Sequence, residues 1–185
     1  MRISKSLRAD QDNIKRLLTV LGSASVEVRS NKRAKPKFFI RANEFIVDYI
    51  EDGFFKKEEL VIKVLEDGGF PLDEGPIAAM RVDQHKSREV GEALLKTTKQ
   101  WQSGDEEIRI EVGWASSEYA STLRQHLERL KGLIFPLIEQ TISFEDEDKV
   151  SETINSIVFE GKLKDGPEKY IKLIEELEEE LSDWK

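Results

Sequence analysis

The sequence predicts an all-α protein, an antiparallel up-and-down four-helix bundle over residues 1–143 with two additional C-terminal helices over 144–185. Three observations carry this reading. Apolar residues recur at helical spacing along four long segments, and short Gly- and Pro-containing breaks separate those segments. Strand-like alternation is confined to Ile108–Val112. Long helices joined by short connections pack as antiparallel neighbours, with a core able to hold a site made of inward side chains.

The first helix is predicted from Ser6 to Leu21, on the row Leu7, Ile14, Leu17, Leu18 and Leu21, with Gly22 as its stop. Gly22 to Lys35 reads as a loop carrying Arg29, Lys32, Arg33 and Lys35. Pro36 suits the first turn of a second helix, Phe38 to Glu66, stopped by Gly68-Gly69-Phe70-Pro71. Pro76 opens a third helix, which runs to Gln102 before Ser103-Gly104. The fourth is predicted from Asp105 to Ile142, with Pro136 bending it near its end. The strand-like stretch lies inside this fourth segment and is read as helix. Asp146 to Phe159, with Ser143 as a cap, and Glu168 to Trp184, after Gly166-Pro167, form the C-terminal pair, packed on the bundle or against a partner.

Composition narrows the function classes. The chain has 185 residues with 29 Lys and Arg against 37 Asp and Glu, a net charge of −8. An acidic chain without a strong basic face argues against nucleic acid as a partner, since phosphate affinity comes from clustered Lys and Arg. With no cysteine, disulfides, thiolate metal sites and cysteine nucleophiles are excluded, and two histidines limit imidazole chemistry. The N-terminal residues lack an apolar signal core, and no stretch approaches the roughly 18 apolar residues of a membrane helix, so the expectation is a cytoplasmic protein without a membrane partner.

Within a bundle, the informative residues are polar ones on apolar stripes. Gln11 falls between Leu7 and Ile14; Glu58 sits in the row Ile50, Phe54, Val61 and Leu65. Gln84 follows Met80 by four, at the inner margin of the third helix, while His85 turns away from it. His126 lies among Tyr119, Leu123 and Leu130. A buried carboxylate must be paired, metal-bound or protonated, because burying it bare costs several kcal/mol. Four helices therefore each offer one inward polar residue: Gln11, Glu58, Gln84 and His126.

At these positions the chain resembles the hemerythrin (HHE cation-binding) domain family. The resemblance rests on Lys57-Glu58-Glu59-Leu60 through Val64-Leu65-Glu66-Asp67-Gly68-Gly69-Phe70-Pro71, on Gly75-Pro76-Ile77-Ala78-Ala79-Met80, and on Leu123-Arg124-Gln125-His126-Leu127-Glu128-Arg129 followed by Leu133-Ile134-Phe135-Pro136. It covers Leu7 to Ile142, and Glu168-Lys169-Tyr170 is similar to the tail of many members. It implies a di-iron site held by histidines and glutamates from four helices. Here Gln11 and Gln84 replace two of those histidines, with Asp10 and Asp83 in the acidic positions before them. Phe54 replaces the second-helix His, and Leu130 replaces the fourth-helix Glu. Of six implied ligands only Glu58 and His126 remain.

Two donors and two neutral amides do not meet the five to seven or so donors that an oxo-bridged iron pair needs. The expectation is therefore a degenerate, vestigial core site of Gln11, Phe54, Glu58, Gln84, His126 and Leu130, without cofactor. The protein would act as a binding or interaction protein for a protein or small molecule. The alternative is iron at a reduced, at most mononuclear site on Glu58 and His126 with an oxygen, nitric oxide or redox sensing role. No enzymatic activity is expected: Ser116, Ser117 and Tyr119 lie near His126 in sequence, but no glycine-rich turn presents a nucleophile. The basic run Lys32 to Lys37 suits an acidic partner or is a solvated loop. The acidic amphipathic segment Glu175 to Glu180 suits a homodimer contact or a cover for the bundle.

Overall fold

A computed structural model describes residues 2–160 and 166–185, the side chains of 158–160 excepted. All regular structure among them is helical. Helix α1 is Arg2–Glu27. Helix α2 is one continuous rod made of Pro36–Phe45, a π-helical segment Ile46–Phe54, and Phe55–Asp67. Helix α3 is Gly75–Gln102, and α4 comprises Arg109–Arg129, a π-helical segment Leu130–Ile134, and Phe135–Thr141. Phe144–Glu160 and Glu168–Asp183 form α5 and α6.

Cross-helix contacts fix the topology. Gln11 meets Leu127 and Ser25 meets Gly113, so α1 and α4 run antiparallel. Asp83 meets His126 and Gly91 meets Tyr119, which does the same for α3 and α4. Glu58 with Gln84 pairs α2 against α3, and Lys57 with Asp10 pairs α2 against α1. The fold is an up-and-down bundle, as expected of long helices joined by short connections. Gly113 is needed where α4 passes close to α1, because a Cβ there would lie 2.7 Å from the Ser25 carbonyl oxygen.

The first helix is longer than predicted at both ends. Ile3 and Ser4 extend the buried row backwards, and Ala24, Ser25 and Val28 extend it past Gly22. A glycine inside a helix costs about 1 kcal/mol, which burying those later residues outweighs. The fourth helix begins at Arg109 rather than Asp105. There the Asp105 carboxylate accepts the Glu107 amide at 3.2 Å and holds a turn instead.

The π segment of α2 has a sequence cause. Buried residues recur every fourth position along Ala42, Ile46, Ile50, Phe54, Glu58 and Ile62. In a regular α-helix each such step drifts by about 40°, so five steps would carry the row about 200° round the axis. The wider i→i+5 turns take up that drift and keep the row facing inward. In α4 the π segment precedes Pro136, which has no N–H and would clash with a carbonyl in the preceding turn. The predicted disturbance at Pro136 takes this form, and the helix continues to Thr141.

The C-terminal helices lie against the outside of the bundle. The Ser143 hydroxyl accepts the Asp146 amide at 3.1 Å and donates to the Asp146 carboxylate at 2.9 Å, the cap that starts α5. Ion pairs from Arg2 to Asp148, Arg16 to Glu178 and Arg41 to Glu176 tie these helices to α1 and α2. The Tyr170 hydroxyl donates to the buried Asp48 at 3.0 Å, and Trp184 packs on Phe38 at 4.6 Å between ring centroids. The acidic helix thus buries Leu173, Ile174, Leu177 and Leu181 against its own bundle.

Candidate functional site

The inward row of α2 presents Glu58, and the inward row of α4 presents His126; both side chains are wholly shielded from solvent. The ring Nε2 lies 2.6 Å from Glu58 Oε2 and 2.8 Å from Oε1. On the other side, Nδ1 lies 3.0 Å from Asp83 Oδ2 of α3. That same oxygen accepts a hydrogen bond from Arg129 Nε at 2.8 Å. An imidazole flanked on both nitrogens by carboxylates satisfies both only by donating twice, which makes it an imidazolium.

Electrostatics agree with this protonation state. Burial pulls the His126 pKa down, but the Glu58 charge and the hydrogen bonds to Asp83 and Glu58 overcome it and raise the value to about 9. For Asp83, burial pushes upward, and the bonds from His126 and Arg129 outweigh it, holding the carboxyl below its usual range. Glu58, His126, Asp83 and Arg129 together carry two negative and two positive charges, so the cluster is neutral as a unit.

The other expected residues fall around this pair at different removes. Gln84, only 1% exposed, lies inside rather than at the margin, and its Nε2 reaches Glu58 Oε1 at 3.5 Å. Gln11 is buried but bonds the Leu127 carbonyl at 3.4 Å, next to His126 in the chain. Phe54 and Leu130 are buried carbon in the core. His85 faces solvent and pairs with Glu89 at 3.1 Å. Ser116 is buried and donates to the Val112 carbonyl at 2.8 Å. Tyr119 is buried beside Gly91, and its hydroxyl has no hydrogen-bond partner among the described residues.

Asp83 is a direct partner of His126, where residue spacing alone singled out only its neighbour Gln84. The Phe55 ring stands edge-on to His126 at 5.9 Å and carries the Arg88 guanidinium 5.3 Å over its face. A second polar group lies on the other side of α2. Lys57, only 4% exposed, donates to Asp10 at 2.5 Å, and Tyr49 donates to Asp10 at 3.0 Å. Burial and the Asp10 charge push the Tyr49 phenol pKa upward. The signal for Lys57 was the fourfold row Gly53, Lys57, Val61 and Leu65, every member of which is buried.

These residues do not fit two irons. Of the six ligand positions that the resemblance implies, four hold amide or hydrocarbon side chains. The remaining imidazole has both nitrogens committed to carboxylates and, as an imidazolium, no lone pair to give. Among the described residues no group of three or more His, Cys, Asp or Glu side chains is arranged to hold a metal ion.

Comparison with known proteins gives one family. The model of the hemerythrin HHE cation binding domain matches residues 2–138, which takes in α1 to α3, α4 but for its last three residues, and Glu58, Asp83 and His126. No curated protein and no solved structure matches the chain. With three quarters of its length matched, the bundle topology in place and most ligand positions substituted, the chain belongs to the hemerythrin HHE cation-binding domain family.

Proposed function

We propose that this hemerythrin-like domain has an ionised Asp83–His126–Glu58 cluster where relatives carry a metal centre, and that it is a metal-free, non-enzymatic binding or interaction protein of the cytoplasm. The observation that supports this best is the double commitment of His126, with a carboxylate at 2.6 Å on one nitrogen and 3.0 Å on the other. The cluster is hydrogen-bonded throughout and, with Arg129 on Asp83, already neutral, so it gains little from a cation, which would have to displace the imidazolium proton first. Among the described residues no helix is long and apolar enough to cross a membrane.

The alternative reading, iron at a single reduced site serving oxygen, nitric oxide or redox sensing, draws on the retained Glu58–His126 contact. Metal analysis of the purified protein, with an optical spectrum, separates the two. The metal-free reading expects well under one iron per chain and no oxo-bridge charge-transfer bands. Stoichiometric iron would overturn it.

A further inference from the structure

At the end of the bundle where residues 28–35 join α1 to α2 and residues 103–108 join α3 to α4, the surface forms a half-open pocket of about 390 Å³. It lies about 25 Å along α4 from His126, the rise of the 17 residues between Arg109 and His126. Its lining includes Lys32, Lys35 and Arg109 against a single acid, Glu106, in a chain whose net charge is −8. Such a reversal of sign inside a concave site of small-molecule size is a recognition feature.

The three cations are not equivalent. Arg109 is built in: Nε donates to the Val28 carbonyl at 2.8 Å, Nη2 to the Asn31 carbonyl at 2.5 Å, and the guanidinium lies 4.9 Å over the Trp101 ring. With a further loose contact to Glu106 at 3.4 Å, two of its five N–H groups stay available. Lys32 and Lys35 are exposed and make no ion pair among the described residues. The cavity also opens on the first turn of α2, where no side chain caps the helix.

We infer that this cavity binds the phosphate dianion of a small phosphorylated molecule, held between Lys32, Lys35 and the fixed guanidinium of Arg109. This names a ligand class for the binding role proposed above. A compact dianion can be met by three cations that line one small pocket, whereas an acidic protein needs a longer basic surface. An acidic helix laid over this turn would also meet Asp105 and Glu107, whereas a small dianion inside the pocket faces Glu106 alone.

The test is calorimetric titration of the full chain at low ionic strength with phenyl phosphate, inorganic phosphate and a hexaglutamate peptide. Saturable binding of phenyl phosphate is expected, weakened by about tenfold or more in Lys32→Ala and in Lys35→Ala, since each removes one charge-assisted bond. Glu106→Gln, at an exposed position that leaves the fold intact, should tighten it. Preference for phenyl phosphate over inorganic phosphate supports the assignment to a phosphorylated molecule; equal or tighter binding of inorganic phosphate would overturn it in favour of the free ion. Absence of saturable binding, affinity unchanged when Lys32→Ala and Lys35→Ala are combined, or a hexaglutamate that binds as tightly would each overturn it. Iron content plays no part in this readout, so it fails or succeeds separately from the metal-free reading.

Discussion

Removing either half of the buried Glu58–His126 pair should destabilise the protein, and the two removals should cost different amounts. His126→Leu leaves Glu58 wholly buried, with only the Gln84 amide at 3.5 Å as a polar neighbour among the described residues. Stranding a charge in that way costs about 3 to 5 kcal/mol. Glu58→Gln is milder, because His126 keeps Asp83 at 3.0 Å and the new amide oxygen can still accept from Nε2; about 1 to 3 kcal/mol is expected. The double variant should cost less than the sum by about 1.5 to 3 kcal/mol, since no orphaned charge remains. Denaturant unfolding of the wild type, both single variants and the double variant closes the cycle. Additivity within about 0.5 kcal/mol, or a Glu58→Gln cost above that of His126→Leu, would refute the reasoning.

Other outcomes follow from the same geometry. Because the folded pKa of His126 is raised, its stabilisation is fully present below the ordinary value of 6.5 and is lost as pH rises through about 9, a change of about 3 kcal/mol that unfolding at pH 6 and pH 10 would measure. Asp83 works in the opposite direction: its lowered pKa gives stability present above the ordinary carboxylate range and lost as pH falls below it, so Asp83→Asn should flatten the acid limb of the same profile. Lys57→Met strands Asp10 beside Tyr49 and should cost about 2 to 4 kcal/mol by thermal unfolding, with Asp10→Asn in the same chain recovering part of it. Restoring four ligands together, through Gln11→His, Phe54→His, Gln84→His and Leu130→Glu, should confer iron binding detectable by metal analysis, because Asp83 already holds Nδ1–H and orients Nε2 inward. A folded quadruple variant that takes up no iron would mean the backbone has left metal-binding geometry.

The fold was legible because its determinants are periodic. Rows such as Leu7, Ile14, Leu18 and Ile77, Met80, Leu94 repeat at helical spacing, and Gly-Pro breaks mark their ends, so helix number and order could be read directly. Boundaries were less legible where tertiary burial overrode a local signal, as at Gly22, whose stop signal lost to Ala24, Ser25 and Val28. The π segments were missed because their trace is a change of period from mixed spacing to strict fours, visible at Ala42 to Ile62 only when a widened turn is considered. At the site, spacing placed Glu58 and His126 because each lies four residues from an apolar neighbour. It gave Asp83 no role beyond its place beside Gln84, because a residue one position off the inward row reaches the core only if a neighbouring helix offers a partner. Lys57 escaped for a related reason: its ammonium is tolerable inside only because Asp10 comes from another helix.

The central claim is that His126 is a doubly hydrogen-bonded imidazolium. Nitrogen-15 NMR of the two-histidine chain measures this directly, with His126→Leu assigning the signal and exposed His85 as an internal reference. The account predicts protons on both Nδ1 and Nε2 of His126 at neutral pH, with loss of one only as pH approaches about 9. A neutral His126 ring at pH 7, with one unprotonated nitrogen, would contradict it.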